Sequence, residues 1–383
     1  MKPTTRLLAL AVVLPTLALS VTVAASSASS TLVAADLAAR LPVQEPEAET
    51  RLPHVLIVAT GGTIASRAAS PENLSGYRVA DTGDDLVAAV PAISDVARVT
   101  VEQYSNVPST AITPADWVRL AQLINGALEP QGETPYGDID GVVVTHGTDA
   151  LEETAFFLNL TVRSEKPVVI VGAMRPASAI SADGPLNLLD AIRVAAHPSS
   201  RGRGAFVVLN QEINSARDVT KTNTRQVQTF AARGLGILGV VEGERPVFYR
   251  GTERRHTYES EFDVSGLDPE GLPRVDVSYT YAGSDGADVD AYVKMGTRGI
   301  VVATAGAGAT TRGQSAALRR ASEAGVIVAR SSRTGSGRVG SGSARGGSVS
   351  ADDLNPQKAR ILLMLALTVT EDAGEIQRIF NTY

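Results

Sequence analysis

Hydrophobic and polar positions alternate in blocks from about residue 52 to the end of the chain. Short apolar, mostly β-branched runs at 54–59, 142–145, 168–171 and 206–209 are separated by amphipathic stretches. Continuous apolar runs of this length are typical of strands buried on both faces of a parallel sheet. The alternation of such strands with helices predicts an α/β fold.

Three of the intervening stretches have helical spacing: Ala115–Leu128, Leu151–Val162 and Asp183–Ala196. Thr113 followed by Pro114 predicts an N-cap and a first helical position. Asp183 is a possible cap of the third helix by the same preference. These assignments place helices between the predicted strands of one sheet.

The C-terminal region repeats the pattern on a smaller scale after a polar, aperiodic stretch at 246–272, which we interpret as a linker. Further strands are predicted at 275–281, 299–304 and 326–330, and further helices at 313–324 and 356–370. A Gly- and Ser-rich segment at 334–350 predicts a mobile loop.

We therefore expect two α/β domains. The larger, N-terminal one covers 52–245 and has a mostly parallel sheet with helices on both faces. The smaller, C-terminal one covers 273–383 and is flavodoxin-like.

The N-terminus has the pattern of an export signal. Lys2 and Arg6 precede an apolar stretch that ends near residue 25 in small residues, which predicts a signal peptide over 1–25. The alternative is an uncleaved membrane anchor. Residues 26–51 contain prolines and a short acidic cluster and predict a disordered linker. A secreted or periplasmic protein that does not contact the membrane after cleavage is expected.

Composition excludes several classes of function. The 383 residues carry a formal net charge of -6 without a run of like charge, so no nucleic-acid partner is expected. There is no cysteine, which excludes disulfides, thiolate nucleophiles and cysteine zinc sites. No two of the four histidines have metal-ligand spacing, so neither a metal nor a cofactor is expected.

Reactive side chains follow the predicted strands, at the edge where open α/β sheets bind ligands. Thr63 follows two glycines after the first strand, and Thr148 and Asp149 follow the second. For Thr63, the alternative is an ordinary glycine turn or a phosphate-binding loop. For Thr148 and Asp149, the alternative is a helix cap before Leu151.

Two more residues have open interpretations on local sequence. Lys221 could be a general base if burial lowers its pKa, but a solvated lysine in a polar loop is the commoner case. His146 is close to Thr148 in sequence. Because adjacent strand residues face opposite sides, we interpret it as structural.

Taken together, six segments in order resemble the bacterial type II L-asparaginases. They span about residue 53 to the C-terminus and are 59–65, 145–149, 166–176, 181–185, 218–224 and 354–360, with the sequences ATGGTIA, THGTD, KPVVIVGAMRP, SADGP, DVTKTNT and LNPQKAR. The resemblance implies hydrolysis of L-asparagine through a threonine acyl-enzyme, without a cofactor or metal. It also implies a homotetramer of intimate dimers.

The resemblance implies catalytic roles for five residues. Thr63 is similar to the primary nucleophile, and Tyr77 to the loop tyrosine that helps to activate it. Thr148, Asp149 and Lys221 resemble a second catalytic trio in which Lys221 assists Thr148. Which of the two threonines attacks is left open by the sequence.

The resemblance also implies binding roles. Ser109 would bind the substrate α-carboxylate, with Thr110 beside it. Asp149 would hold the α-ammonium, and the backbone carbonyl of Ala173 would bind the side-chain amide.

Three departures from the family pattern predict weaker substrate binding and altered glutamine activity. Thr110 stands where the family commonly has glutamine, and Ala309 where it commonly has asparagine. No acidic residue lies in 334–351, where the family has a glutamate on a long loop. An exported amino-acid-binding protein without catalysis and a broad glutaminase-asparaginase are the alternative functions.

Overall fold

The computed structural model describes residues 51–129, 134–340 and 347–383. The predicted signal peptide at 1–25 and the predicted linker at 26–51, except Arg51, lie outside these residues. Part of the predicted mobile loop at 334–350 also lies outside them.

Strands and helices alternate through the described chain as the pattern predicts. The strands are β1 (His54–Gly61), β2 (Ser66–Arg67), β3 (Arg78–Val79), β4 (Arg98–Val107), β5 (Gly141–Thr145), β6 (Val168–Val171), β7 (Ala205–Leu209), β8 (Glu212–Ser215), β9 (Thr220–Lys221), β10 (Phe230–Ala231), β11 (Gly239–Glu242), β12 (Arg245–Phe248), β13 (Val275–Tyr279), β14 (Gly299–Thr304), β15 (Ile327–Ser332) and β16 (Val349–Ser350). The helices are α1 (Gly83–Ala88), α2 (Pro114–Leu128), α3 (Leu151–Thr161), α4 (Gly184–Ala196), α5 (Ala287–Lys294), α6 (Arg312–Glu323), α7 (Pro356–Val369) and α8 (Ala373–Thr382).

The larger sheet has eight strands in the order β12-β11-β8-β7-β6-β5-β1-β4. The strands from β4 through β1, β5 and β6 to β7 are parallel, and β8, β11 and β12 continue the sheet in antiparallel pairs. The prediction of a mostly parallel sheet is confirmed. Strand β12 begins at Arg245 and continues to Phe248, into the stretch that the sequence predicts as a linker.

Helices cover both faces of this sheet because alternate residues of each strand point in opposite directions. Leu56 and Val58 of β1 pack in one cluster with α2 and α3. Val55 and Ile57 pack in another with α1 and α4. All eight residues of β1 are buried, as the continuous apolar run predicts.

The smaller sheet is parallel, as predicted, in the order β13-β14-β15-β16. Its strands lie in chain order, so the flavodoxin-like order 2-1-3-4-5 is not found. One face packs on α5 and α6. The other face shares a hydrophobic cluster with α7, α8 and the larger sheet.

Local capping explains where one helix begins and refines the prediction for another. Thr113 caps α2 in a reciprocal capping box with Asp116, and Pro114 is the first helical residue. Asp183 occupies the N-cap position of α4, as predicted, but makes no side-chain cap bond. Its carboxylate accepts the backbone N–H groups of Met174 and Arg175 instead, at 2.9 Å each.

Candidate active site

Two glycines present Thr63 at the end of β1. Gly61 and Gly62 have φ angles of 105° and 86°, in the left-handed region that disfavours L side chains. A Cβ atom on Gly62 would overlap the backbone of Gly147. The glycine turn therefore brings the loop of Thr63 directly against the loop of Thr148.

Thr63 lies beside Tyr77. Its hydroxyl oxygen is 3.2 Å from the Tyr77 hydroxyl, and either group can donate the hydrogen bond. Thr63 itself is buried, whereas residues 71–76, which lead to Tyr77, are all exposed. The structure thus joins these two predicted residues through one hydrogen bond. Tyr77 reaches Thr63 from a solvent-exposed segment.

Thr148, Asp149 and Lys221 form a second cluster. The Lys221 Nζ donates to Thr148 Oγ1 at 2.9 Å and to Asp149 Oδ1 at 2.7 Å. The Lys221 side chain is 17% exposed and that of Asp149 is 67% exposed. Lys221 is therefore not the solvated lysine of the alternative interpretation. A neutral amine at this distance can accept the hydroxyl proton of Thr148.

The start of α3 places Thr148 near backbone N–H groups. Ala150 occupies the N-cap position, with no side-chain cap bond. The interpretation of Thr148 or Asp149 as the cap is therefore wrong, since both side chains bond Lys221 instead. The Ala150 N–H donates to Ser109 Oγ at 3.3 Å. The positive end of α3 faces this corner of the site and favours negative charge there.

His146 is a buried structural residue rather than a base for Thr148. Its Nδ1 bonds the Gly147 carbonyl at 2.8 Å, and its Nε2 bonds Thr154 Oγ1 at 2.9 Å. The Trp117 indole N–H donates to the same Thr154 oxygen at 2.9 Å. Burial lowers the pKa of His146 to about 4, so the ring stays neutral. Its two hydrogen bonds hold the chain next to Thr148.

The residues expected to bind substrate surround the same edge with different degrees of burial. Ser109 is buried, and a Cβ on Gly147 would lie 2.9 Å from the Ser109 Cβ. Ala173 is fully buried, in a turn fixed by the two bonds to Asp183. Thr110 is exposed.

A cavity of about 460 Å³ lies beside Tyr77 and Asp149, although neither of the two candidate catalytic threonines nor Lys221 is among its described lining residues. Two arginines and Asp149 are its charged lining groups among the described residues. It is lined by Leu74, Ser75, Gly76, Tyr77, Asp149, Met174, Arg175, Thr224 and Arg225. A cavity of about 550 Å³ lies elsewhere, among Arg217, Arg254, Arg338 and several carboxylates. It contains none of the predicted site residues, so size alone does not identify the active site.

Sequence reasoning gave no role to Glu152. This residue is buried, and its Oε2 accepts the backbone N–H of Lys221 at 2.9 Å. Its position in the first turn of a predicted helix carried no signal of this contact, because the partner lies 69 residues further along the chain.

Two negative findings apply to residues 51–129, 134–340 and 347–383. No group of three or more His, Cys, Asp or Glu side chains there could hold a metal ion. No helix there has both the length and the apolar character needed to cross a membrane.

Comparison with known proteins follows the geometry. Residues 54–254 match the model "Asparaginase, N-terminal", and residues 274–380 match the "Glutaminase/Asparaginase C-terminal domain". The chain is 47% identical to L-asparaginase 2 of Bacillus subtilis strain 168, over 87% of each chain. It is 42% identical to a probable periplasmic L-asparaginase of Haemophilus influenzae, over 87% of this chain and 93% of the relative.

A solved structure agrees in fold and sequence. The crystal structure of a probable cytoplasmic L-asparaginase from Campylobacter jejuni superposes with a TM-score of 0.82 at 43% identity. The match covers 86% of this chain and all of that one. The two family models together span both α/β domains, and the chain belongs to the asparaginase family.

Proposed function

We propose that this protein hydrolyses L-asparagine to L-aspartate and ammonia through a threonine acyl-enzyme. The observation that carries the proposal is the cluster in which Lys221 Nζ lies 2.9 Å from Thr148 Oγ1 and 2.7 Å from Asp149 Oδ1. A binding protein has no need of an amine held against a hydroxyl. An amidase uses such a pair to move a proton at a hydroxyl during acyl transfer.

In the proposed reaction, Thr63 is the primary nucleophile, by the family resemblance. Its oxygen attacks the side-chain amide carbon while its hydroxyl proton passes to the Tyr77 oxygen, 3.2 Å away. Tyr77 in turn gives its own hydroxyl proton to the departing amide nitrogen. The C–N bond then breaks, and the nitrogen leaves as ammonia with one added proton. Water cleaves the ester and restores the hydroxyl. At the second threonine, Lys221 exchanges a proton with the Thr148 hydroxyl.

The binding roles are also proposals. Ser109 holds the α-carboxylate, Asp149 the α-ammonium, and the Ala173 carbonyl the amide N–H groups. Thr110 and Ala309 offer less hydrogen bonding than the amide side chains common in the family. We therefore expect a Michaelis constant for asparagine above the micromolar range, and some activity on L-glutamine.

Ammonia release from L-asparagine and L-glutamine tests the function. The variants are Thr63→Ala and Thr148→Ala, with Thr368→Ala as the control because Thr368 is exposed at the end of α7. We expect both site variants to lose activity and the control to keep it. Acid quench and peptide mass spectrometry should find the aspartyl ester on the peptide that contains Thr63.

Other outcomes would replace the proposal. Binding of asparagine without ammonia release would indicate the exported binding protein. Equal rates on both amides would indicate a broad glutaminase-asparaginase. An ester on the Thr148 peptide would exchange the roles of the two threonines.

We further propose export and self-association. The relative named periplasmic and the N-terminal pattern of Lys2, Arg6 and an apolar stretch support an extracytoplasmic location. When the full chain is expressed in bacteria that process export signals, the intact mass of the recovered protein should correspond to cleavage near residue 25. Light scattering coupled to size exclusion should give a dimer or tetramer, and a monomer would contradict that part.

A further inference from the structure

The first turn of α7 carries three polar side chains that bond to the larger domain. Asn355 caps α7, since its Oδ1 accepts the Lys358 N–H at 3.0 Å. Its amide nitrogen lies 3.4 Å from both Glu152 Oε1 and Thr220 Oγ1. Gln357 and Lys358 follow in the same turn. The helix belongs to the C-terminal domain, but these bonds reach the residues around Lys221.

Lys358 holds the chain just before Lys221. Its side chain is buried, and its Nζ donates to the carbonyls of Ala216 at 2.9 Å, Arg217 at 2.8 Å and Val219. An ammonium has three N–H donors, so all of them are used. Burial lowers the pKa of Lys358 to about 8, against the opposing charge of Glu152.

A buried ammonium is costly unless every donor is paired. At this position three hydrogen bonds to backbone carbonyls offset the cost, and they fix residues 216–219, a short segment between β8 and β9. That segment leads directly into β9, which carries Lys221.

Gln357 holds Lys221 from the other side. Its amide N–H donates to Glu152 Oε1. The second oxygen of the same carboxylate accepts the Lys221 backbone N–H at 2.9 Å. Glu152 is therefore fixed between the C-terminal helix and the backbone of the candidate catalytic lysine.

We infer that the first turn of α7 positions Lys221, with Gln357 and Lys358 as positioning residues that act through Glu152 and the 216–219 carbonyls. The inference rests on the proposed function, since it gives Lys221 its catalytic role. An amine must be held within hydrogen-bond reach of a hydroxyl to move its proton, and small displacements are expensive in rate. The same contacts could serve only to join the two domains. In that case their loss would change the melting temperature, whereas loss of a positioning contact would also change kcat and the exposure of the Lys221 amine.

The test compares Gln357→Ala with Gln377→Ala. Gln377 is a matched control, because its side chain also bonds across elements, accepting from Ser350 N at 2.7 Å and donating to Ser350 O at 3.2 Å, away from the site. For each variant we would measure kcat, KM, the melting temperature and the labelling rate of lysines by acetic anhydride. Peptide mass spectrometry measures the acetylated fraction of Lys221 relative to that of the exposed Lys294.

We expect Gln357→Ala to lower kcat by about tenfold with KM within about twofold, as loss of an orienting contact does. Labelling of Lys221 relative to Lys294 should rise, because the amine is no longer held against Thr148 and Asp149. Gln377→Ala should change neither quantity. Lys358→Met should show the larger effect, and Glu152→Gln replaces it if that variant does not fold.

The inference is overturned if Gln357→Ala lowers the melting temperature as Gln377→Ala does but leaves kcat and Lys221 labelling at the wild-type level. The domains would then simply be joined there. If the wild-type protein releases no ammonia, the proposed function fails on its own. The labelling arm still decides whether α7 holds Lys221, because it needs no turnover.

Discussion

The two halves of the candidate site differ in how firmly they are held. Thr148 is buried and bonds Lys221. It follows His146 closely in the chain, and Thr154 bonds both His146 and Trp117. Among the described residues, Thr63 has one side-chain hydrogen-bond partner, Tyr77, and the segment leading to that tyrosine is exposed. One half is fixed by the core of the fold, and the other by a loop.

This difference indicates a division of labour. Fixed donors and charges stabilise a transition state best when they need no rearrangement, which suits the Thr148 half. An exposed segment with few contacts opens at low cost in free energy, which suits substrate entry on the Thr63 half. The comparison predicts that substitutions in the fixed half cost more than substitutions in the loop.

Removing the Lys221 amine should have the largest effect. Lys221→Met keeps the length of the side chain but leaves Thr148 without a proton acceptor. We expect kcat to fall by about 10³-fold, which corresponds to about 4 kcal/mol in the barrier. The steady-state rate of ammonia release measures this, with the exposed Lys294→Met as the control. A loss below tenfold would mean that the fixed half is not catalytic.

Acid should weaken the fixed half through His146. The folded protein keeps this ring neutral down to its pKa of about 4, while an unfolded chain protonates it near the ordinary value of 6.5. The unfolded state thus binds more protons between these values. The free energy of unfolding is therefore highest above pH 6.5 with respect to this group. It falls as the pH drops to 4, by about 3 kcal/mol at most.

Denaturant unfolding across this pH range would measure the effect. His146→Gln should be less stable at pH 7 but should have a flatter pH dependence of the free energy of unfolding. His197→Gln is the control, because that ring bonds only Ser199 among the residues the structure describes. Identical slopes in wild type and His146→Gln would show that the ring is protonated when folded.

Tyr77→Phe should have a smaller effect than Lys221→Met. It removes the hydroxyl that bonds Thr63 but leaves the glycine turn intact. We expect a loss in kcat of about 10²-fold, the lower end of what a positioned acid–base group contributes. Single-turnover measurement of acyl-enzyme formation separates this step from hydrolysis. A loss as large as that of Lys221→Met would remove the asymmetry between the halves.

Leu74→Ser should have the smallest effect. Leu74 is 46% exposed on the loop that leads to Tyr77, so little apolar burial is lost. We expect the free energy of unfolding to change by less than about 0.5 kcal/mol, as for most surface substitutions. Thermal unfolding measures it, and a loss above about 2 kcal/mol would show that the loop packs as firmly as the fixed half.

The sequence was sufficient for features that depend on local pattern. The strands ending before Thr63 and Thr148 follow from continuous apolar runs, and the start of α2 follows from Thr113 and Pro114. The helices α1, α5 and α8 were not predicted, since all three are short and their local pattern did not separate them from the surrounding loops. Local preference placed Asp183 correctly at the N-cap position but missed its bonding, because its carboxylate bonds a neighbouring turn rather than its own helix.

Contacts between distant segments were beyond local pattern. Glu152 and Gln357 lie 205 residues apart, and no periodicity links them. The family resemblance identified Lys221 as a candidate, but it did not show what holds the lysine in place. The strand order of the smaller sheet was also missed, because alternation predicts parallel strands without fixing which neighbours pair.

The close approach of Gly62, Gly147 and Ser109 ties together three loops from three different strands. None of these loops can grow or be exchanged alone, since even one methyl group at either glycine meets a neighbour. For protein engineering, a graft that alters substrate preference has to carry all three turns together. By contrast, a Cβ at Gly76, in the exposed segment 71–76, would meet no heavy atom of the described residues within 4 Å.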